Sequence, residues 1–190
     1  MIQAKIKDIE LKFYTNEKVF SPTEVDKGTI AMLEALELTA EDKVLDLGCG
    51  YGVVGIYVAK VIGIDKVVLS DSSENSVKLS KDNAKLNGVE GVKIVQSNAF
   101  KSLDEAYFTY ILTYPPYHVD FNVPKEFIEK GFNRLKIGGK MVMVTKRKEW
   151  YKNRLTAIFG GVQVKELEGY FIFTAEKRFP TYANKKGDNR

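Results

Sequence analysis

Val44-Leu45-Asp46-Leu47-Gly48-Cys49-Gly50-Tyr51-Gly52 decides the fold of this chain. A run suited to a buried strand enters a turn with glycine at every other position, and Val53-Val54 then open a helical pattern. Glycine lets a backbone approach a ligand where a side chain would block it. The stretch is therefore a strand, a ligand-facing turn and a helix. Dinucleotide-binding folds use similar turns, but their third glycine comes three residues after the second, inside the helix. Here it comes two residues after, at Gly52, with Gly55 one turn further on.

Outward from this stretch, apolar strand-like runs alternate with helical patterns. Strands are predicted at 43–47, 66–71, 92–96, 108–113 and 139–145, and helices at 26–37, 52–62, 73–87, 123–135 and 149–159. Such alternation marks a parallel sheet built from βαβ units. Gly88 stands where a helix-ending glycine belongs, and Gly138-Gly139 predicts the turn into the fifth strand. Val162–Leu167 and Tyr170–Ala175, separated by Glu168-Gly169, predict an antiparallel hairpin. Residues 1–30 hold a small hairpin in which Ile6, Ile9, Leu11 and Phe13 stand among charged residues, with Thr15-Asn16-Glu17-Lys18 as a turn and Val19-Phe20 beyond it. The polar tail 180–190 is expected to fray. The expectation is one α/β domain over residues 1–190: a mostly parallel seven-stranded sheet with a C-terminal antiparallel hairpin and helices on both faces.

A chain of 190 residues is long enough for one domain with a real hydrophobic core. Its 44% apolar and 28% charged residues are those of a soluble globular protein. No apolar run approaches the roughly 20 residues of a membrane span, and Met1 to Glu10 has no secretory apolar core. One cysteine excludes an internal disulfide and fits a reducing cytoplasm. No His/Cys cluster is present, so no metal is expected. The net charge of +4 mildly favours an anionic partner but does not separate RNA binding from ordinary solubility.

Asp71 ends the second predicted strand. In nucleotide-binding α/β folds an acid at this point accepts hydrogen bonds from both ribose hydroxyls; the plain alternative is an N-cap for the following helix. Cys49 reads as a small residue packed beneath the loop rather than a reactive thiol. Thr113-Tyr114-Pro115-Pro116-Tyr117-His118 follows the fourth strand, where two prolines stiffen the chain at the carboxyl edge of the sheet. His118, the only histidine, is a candidate general base or substrate contact, or a surface loop residue. Lys146, Arg147, Lys148, Lys152 and Arg154 cluster after the fifth strand with Trp150 and Tyr151 among them. That mixture suits phosphate contacts with base stacking, and equally a solvated helix start with two rings on the core.

With Asp46 two residues ahead of Gly48, the glycine turn resembles motif I of the S-adenosylmethionine-dependent methyltransferases. Tyr114-Pro115-Pro116-Tyr117 resembles the Asn/Asp-Pro-Pro-Tyr/Phe motif of members that methylate amino groups conjugated to a ring or carbonyl. The sequence runs through Phe20-Ser21, Val25-Asp26-Lys27-Gly28-Thr29, the glycine turn, Pro-Pro-Tyr-His and Leu135-Lys136-Ile137-Gly138-Gly139, and then Phe159-Gly160, Gly169-Tyr170 and Ala175-Glu176-Lys177. That order looks like the methyltransferase small domain family across residues 11–177. Within the family it resembles the small-subunit ribosomal RNA guanine-N2 methyltransferases of type C and their short single-domain archaeal relatives.

The resemblance implies a Rossmann-like methyltransferase that binds S-adenosylmethionine across the carboxyl ends of strands one to four. Gly48, Gly50 and Gly52 would line the methionine and ribose, Asp71 the ribose, and Asn98 the adenine, with Asp46, Cys49, Ser72 and Ala99 completing the set. Asp26, Lys27, Gly28 and Thr29 would lie near the cofactor and substrate mouth. Tyr114, Pro115 and Tyr117 would face the methyl group, and Pro116, His118, Lys146 and Arg147 would touch the substrate. The implied target is an exocyclic base amine of structured RNA, rRNA or tRNA, and the setting RNA methylation and rRNA processing in the cytoplasm. The longer bacterial members carry a second, duplicated domain for RNA capture. Recognition here is expected to fall on the N-terminal hairpin, the 146–154 segment, a partner chain or a dimer mate.

Tyr114 departs from the family motif. Its phenol accepts hydrogen bonds but is far longer than a carboxamide. Three readings stay open: a shifted substrate pose, a different acceptor atom, or binding with weak or lost transfer. A small-molecule or protein amine as substrate, and a cofactor- or RNA-binding module without catalysis, are the alternatives in class.

Overall fold

Alternation within the apolar runs sorts their side chains onto the two faces of one sheet, and both faces are covered in the computed structural model, which describes residues 1–116 and 120–183. The chain opens with a hairpin of β1 (Ile2–Ile6) and β2 (Ile9–Phe13). Then come α1 (Lys27–Glu34), β3 (Val44–Leu47), α2 (Val53–Ile62), β4 (Val67–Asp71), α3 (Glu74–Leu86) and β5 (Lys93–Gln96). It continues through β6 (Phe108–Thr113), α4 (Asn122–Arg134), β7 (Leu135–Thr145), α5 (Glu149–Phe159), β8 (Gln163–Leu167) and β9 (Tyr170–Glu176). The main sheet runs β5-β4-β3-β6-β7-β9-β8, parallel from β5 to β7 and antiparallel on both sides of β9. This is the expected seven-stranded, mostly parallel arrangement with a C-terminal hairpin.

Strands covered on both faces need apolar residues at successive positions. Val44, Leu69, Leu112 and Val142 join one core with Ile6, Phe13, Met32 and Ile56 of the hairpin, α1 and α2. Their sequence neighbours Leu45, Val68, Ile111 and Met141 join the other with Ile128, Phe132, Leu155 and Phe159 of α4 and α5. Glu168 (φ 50°) and Gly169 (φ 82°) turn β8 into β9, both left-handed as a two-residue hairpin loop favours. Gly88 ends α3 as expected: its N–H bonds Lys85 O, and that of Val89 bonds Ala84 O, a Schellman motif.

Two local expectations need correction. The N-terminal hairpin turns at Lys7-Asp8, with Lys7 at φ 51°; the chain does turn at Thr15–Lys18, where Val19 N–H bonds Asn16 O at 3.3 Å, but beyond the hairpin. Gly138-Gly139 is no turn into a strand, because β7 already begins at Leu135 opposite Phe108 and shifts register there. The two glycines instead pair with the chain after β9, Gly138 N–H bonding Lys177 O and Lys177 N–H bonding Gly139 O. Most of the 180–190 tail lies outside the described residues; just before that part, Tyr182 packs edge-on against Phe132, and its hydroxyl donates to Glu129 O at 2.9 Å.

The hairpin is tied to the domain by two buried amides. Asn83 accepts from Tyr14 N–H (2.7 Å) and donates to Tyr14 O (3.0 Å), and Asn87 does the same with Lys12 at 3.1 and 2.7 Å. Asn83 of α3 and its C-cap Asn87, four residues apart, thus act as peptide groups for alternate residues of an extended chain. Among the described residues no helix is long and apolar enough to cross a membrane.

Candidate functional site

β3 and β4 end side by side, with Leu47 beside Ser70. The N–H groups of Gly48 and Cys49 both donate to Ser70 O, at 2.8 and 2.9 Å, so the glycine turn starts pinned to the neighbouring strand. Gly48 (φ 77°) and Gly50 (φ 56°) are left-handed, a conformation that disfavours any Cβ. Gly50 faces open space, since a Cβ there would meet no atom within 4 Å. Gly52 faces inward, where a Cβ would lie 2.8 Å from Ile56 and 3.1 Å from Ser80.

Two carboxylates hold this turn. Asp46 is 2% exposed and accepts the Gly55 N–H at 2.7 Å. Burial pushes its carboxyl up to about 7; the Gly55 N–H pulls the other way, and the Asp71 charge adds to the rise. Gly55 permits the contact, because a Cβ there would sit 2.2 Å from the Leu69 side chain. Asp71 closes β4 with Oδ2 accepting from Gly50 N–H and Oδ1 from Ser73 N–H, both at 2.9 Å. The N-cap of α3 is Ser73, whose Oγ accepts from Ser76 N–H. Asp71 therefore braces the glycine turn, and each of its oxygens keeps a second lone pair for a ligand.

Cys49 is buried with Sγ 3.6 Å from Ser80 Oγ. Burial, with the nearby Asp46 and Asp71 charges, pushes its thiol well up, which makes it a packing residue. Ser80 Oγ donates to Gly50 O at 2.9 Å, and Asn83 Nδ2 donates to Tyr51 O at 2.9 Å. The helix that clips the hairpin thus also supports the turn.

In front of the turn lies a cleft of about 620 Å³, within the range of small-molecule sites. Asp46, Gly48, Cys49, Gly50, Asp71 and Ser72 line its floor, and Asn98 and Ala99 the side beyond β5. Tyr114, Pro115 and Pro116 line it from the end of β6, where Thr113 Oγ1 donates to Leu47 O at 2.7 Å. Thr29 of α1 and Val123 and Phe127 of α4 complete its walls. Tyr117 and His118 lie outside the described residues.

Other expected site residues stand off this cleft. Lys27 is exposed and reaches toward Glu168 at 4.0 Å. Gly28 is a packing glycine, since a Cβ there would come within 2.4 Å of the Tyr170 ring. Lys146 and Arg147 lie over the rings of Tyr170 (4.9 Å) and Phe121 (5.2 Å). The basic cluster divides: Arg154 is ion-paired with Glu129 and Tyr151 is buried, whereas Lys146, Arg147 and Lys148 are exposed.

Asp26, expected near the mouth by resemblance alone, stands at the cleft, and an unexpected segment joins it. Asp26 lines the cleft, caps α1 by accepting from Gly28 N–H at 2.8 Å, and accepts from the Tyr170 hydroxyl at 3.1 Å. Residues 17–21 also line it, as part of the irregular chain before α1. An Asp before Lys-Gly-Thr carries an N-cap signal; the irregular segment carries none that points to a site.

The chain is similar to known proteins. The family model for the methyltransferase small domain matches residues 10–174. The uncharacterised protein YbxB of Bacillus subtilis is 33% identical, with 91% of this chain and 89% of that protein covered. Ribosomal RNA small subunit methyltransferase C of Psychromonas ingrahamii is 32% identical over 87% of this chain and 48% of its own length. The Thermus thermophilus 16S rRNA N2 G1207 methyltransferase, solved with AdoMet and guanosine, superposes with a TM-score of 0.83 at 30% identity, covering 93% of this chain and 50% of that one. The chain spans about half the length of these ribosomal RNA methyltransferases.

Proposed function

This chain belongs to the methyltransferase small domain family and is an S-adenosylmethionine-dependent methyltransferase, and we propose that its acceptor is an exocyclic base amine of guanine-N2 type in structured RNA. One observation carries the proposal: Tyr114-Pro115-Pro116 and the Gly48–Gly50 turn face the same cleft. The likeness to an enzyme solved with AdoMet and guanosine supports it.

The residues present fit the cofactor. An open face before Gly50 admits a ligand against the backbone, and Asp71 offers two oriented acceptors to a ribose diol. Asn98 and Ala99 are the candidates for the adenine, and Thr29 and Asp46 for the region near the methionine end. Bound there, S-adenosylmethionine supplies an electrophilic methyl group whose carbon–sulfur bond breaks as the acceptor nitrogen forms its new bond, and the amine sheds a proton to water.

An amine conjugated to a base is a weak nucleophile, so the protein's task is alignment. The Pro115 carbonyl and the Tyr114 phenol are the proposed acceptors for the amine hydrogens, with Tyr117 stacking on the base and Pro116 and His118 beside it. Lys146 and Arg147, exposed beside aromatic rings, are the proposed phosphate contacts. The test is transfer of labelled methyl groups to ribosomal and transfer RNA from cells lacking the gene, followed by nucleoside analysis. N2-methylguanosine is the expected product. Another methylated nucleoside overturns the acceptor assignment. Cofactor binding without label in RNA moves the chain to a small-molecule or protein amine, or to a non-catalytic module.

A further inference from the structure

The irregular segment between β2 and α1 puts a large apolar ring at the mouth of the cleft. Phe20 is 53% exposed, yet its neighbour Val19 is buried at 8%. The backbone around it is held from several sides. Thr15 Oγ1 donates to Pro22 O at 2.7 Å, Tyr51 hydroxyl to Ser21 O at 3.3 Å, and Ser21 Oγ to Glu24 O at 2.6 Å. The amides of Asn16 and Asn75 bond each other at 2.9 and 3.3 Å, fixing the segment to α3. Ser21 is left-handed at φ 50°, an unfavourable conformation for a residue with a Cβ. A tethered segment with a strained residue thus presents Phe20 outward while burying Val19.

The Phe20 ring meets the Tyr114 ring edge-on, with centroids 5.1 Å apart and planes at 68°. Both line the cleft. Two aromatic planes at a wide angle form a corner, so a flat ring lying on one turns its edge toward the face of the other. Bases stack on aromatic side chains, and each such contact is worth roughly five- to hundredfold in affinity by alanine substitution.

We propose that Phe20 is a substrate-recognition residue that stacks on the target base, with Tyr114 closing the corner beside it. The inference rests on the base-amine reading above and adds a recognising surface from outside the Pro-Pro motif. It also gives Tyr114 a reason to be aromatic.

The experiment compares wild type, Phe20→Ala and Phe20→Trp in methyl transfer to the same RNA from cells lacking the gene. Binding of S-adenosylhomocysteine and thermal stability are measured alongside. The expected result is a roughly ten- to hundredfold fall in kcat/KM for RNA in Phe20→Ala, cofactor affinity within twofold, and recovery of most activity in Phe20→Trp. Wild-type transfer with Phe20→Ala within twofold of it would overturn the inference and leave the RNA reading standing. A parallel loss of cofactor affinity and stability would also overturn it, by making Phe20 a structural tether. No wild-type transfer to RNA would remove the base-amine reading and this inference together.

Discussion

Replacing Asp71 with Asn tests the proposed cofactor cleft, because an apparently isosteric change should be severe here. Both Asp71 oxygens already accept a backbone N–H, from Gly50 and from Ser73, each at 2.9 Å. An Asn has one acceptor oxygen and one NH2, so whichever way the amide lies, its NH2 opposes one of those two N–H groups. The same NH2 is also lost as an acceptor for one ribose hydroxyl. Hydrogen bonds to charged groups are worth about 1.5–3 kcal/mol each. Losing one of them, together with the charge assistance on the other, should cost about 2–4 kcal/mol of binding, or roughly thirty- to thousandfold in Kd. Calorimetric titration with S-adenosylhomocysteine gives the number, and the 2′-deoxy analogue supplies the second arm of a double cycle. Wild type should discriminate strongly between the two ligands and Asp71→Asn weakly. A variant that binds S-adenosylhomocysteine within threefold of wild type would refute the ribose assignment. Equal discrimination in both proteins would refute it as well.

Asn83→Ala removes three hydrogen bonds from a fully buried site, one of them to the Tyr51 carbonyl in the glycine turn. It should destabilise the fold by about 2–4 kcal/mol and speed hydrogen exchange in the N-terminal hairpin; unchanged exchange there would show that the hairpin is held by other contacts. Asp46, held near 7 when folded against 3.8 in its ordinary state, binds its proton more tightly in the folded protein, so its contribution to stability is present at low pH and is lost as pH rises from about 4 to about 7. Asp46→Asn should flatten the unfolding free energy between pH 5 and 8 by an amount on the order of 2–3 kcal/mol, and an unaltered pH profile in urea denaturation would contradict this. Tyr114→Ala should lower methyl transfer at least tenfold while cofactor affinity stays within threefold. Equal loss of both would take Tyr114 out of the acceptor side of the cleft.

The parallel core was legible because residues such as Leu45 and Ile111, buried on one face, alternate with Val44 and Leu112, buried on the other, and the resulting apolar runs are bounded by glycines. The floor of the cleft was legible for a related reason. Left-handed backbone at Gly48 and Gly50 and the braces from Asp46 and Asp71 depend on residue types that few other situations require. What escaped notice depends on partners distant in sequence. Asn83 and Asn87 look like the solvent face of a helix until the hairpin they bond is in place. Lys7 carries no turn signal, and its left-handed conformation is imposed by the pairing of β1 with β2. Gly138-Gly139 carries a strong turn signal, but its N–H and C=O groups are claimed by Lys177. Phe20 stands in a polar irregular stretch, and only the fold brings it to Tyr114. Gly28 was placed at the cofactor mouth by resemblance, whereas its lack of a side chain serves the Tyr170 ring.

Calorimetric titration of the purified chain with S-adenosylmethionine, beside a variant in which Asp71 is replaced by Ala, tests the proposed cofactor site at its centre. One saturable site per chain is expected in the wild type, with affinity lowered at least a hundredfold in the variant, which still unfolds cooperatively but at a melting temperature lower by roughly 5–20 °C because the Gly50 and Ser73 N–H groups lose their acceptor. Absence of binding to the wild type, or binding that ignores Asp71, would contradict the assignment of the Gly48–Asp71 cleft as the cofactor site.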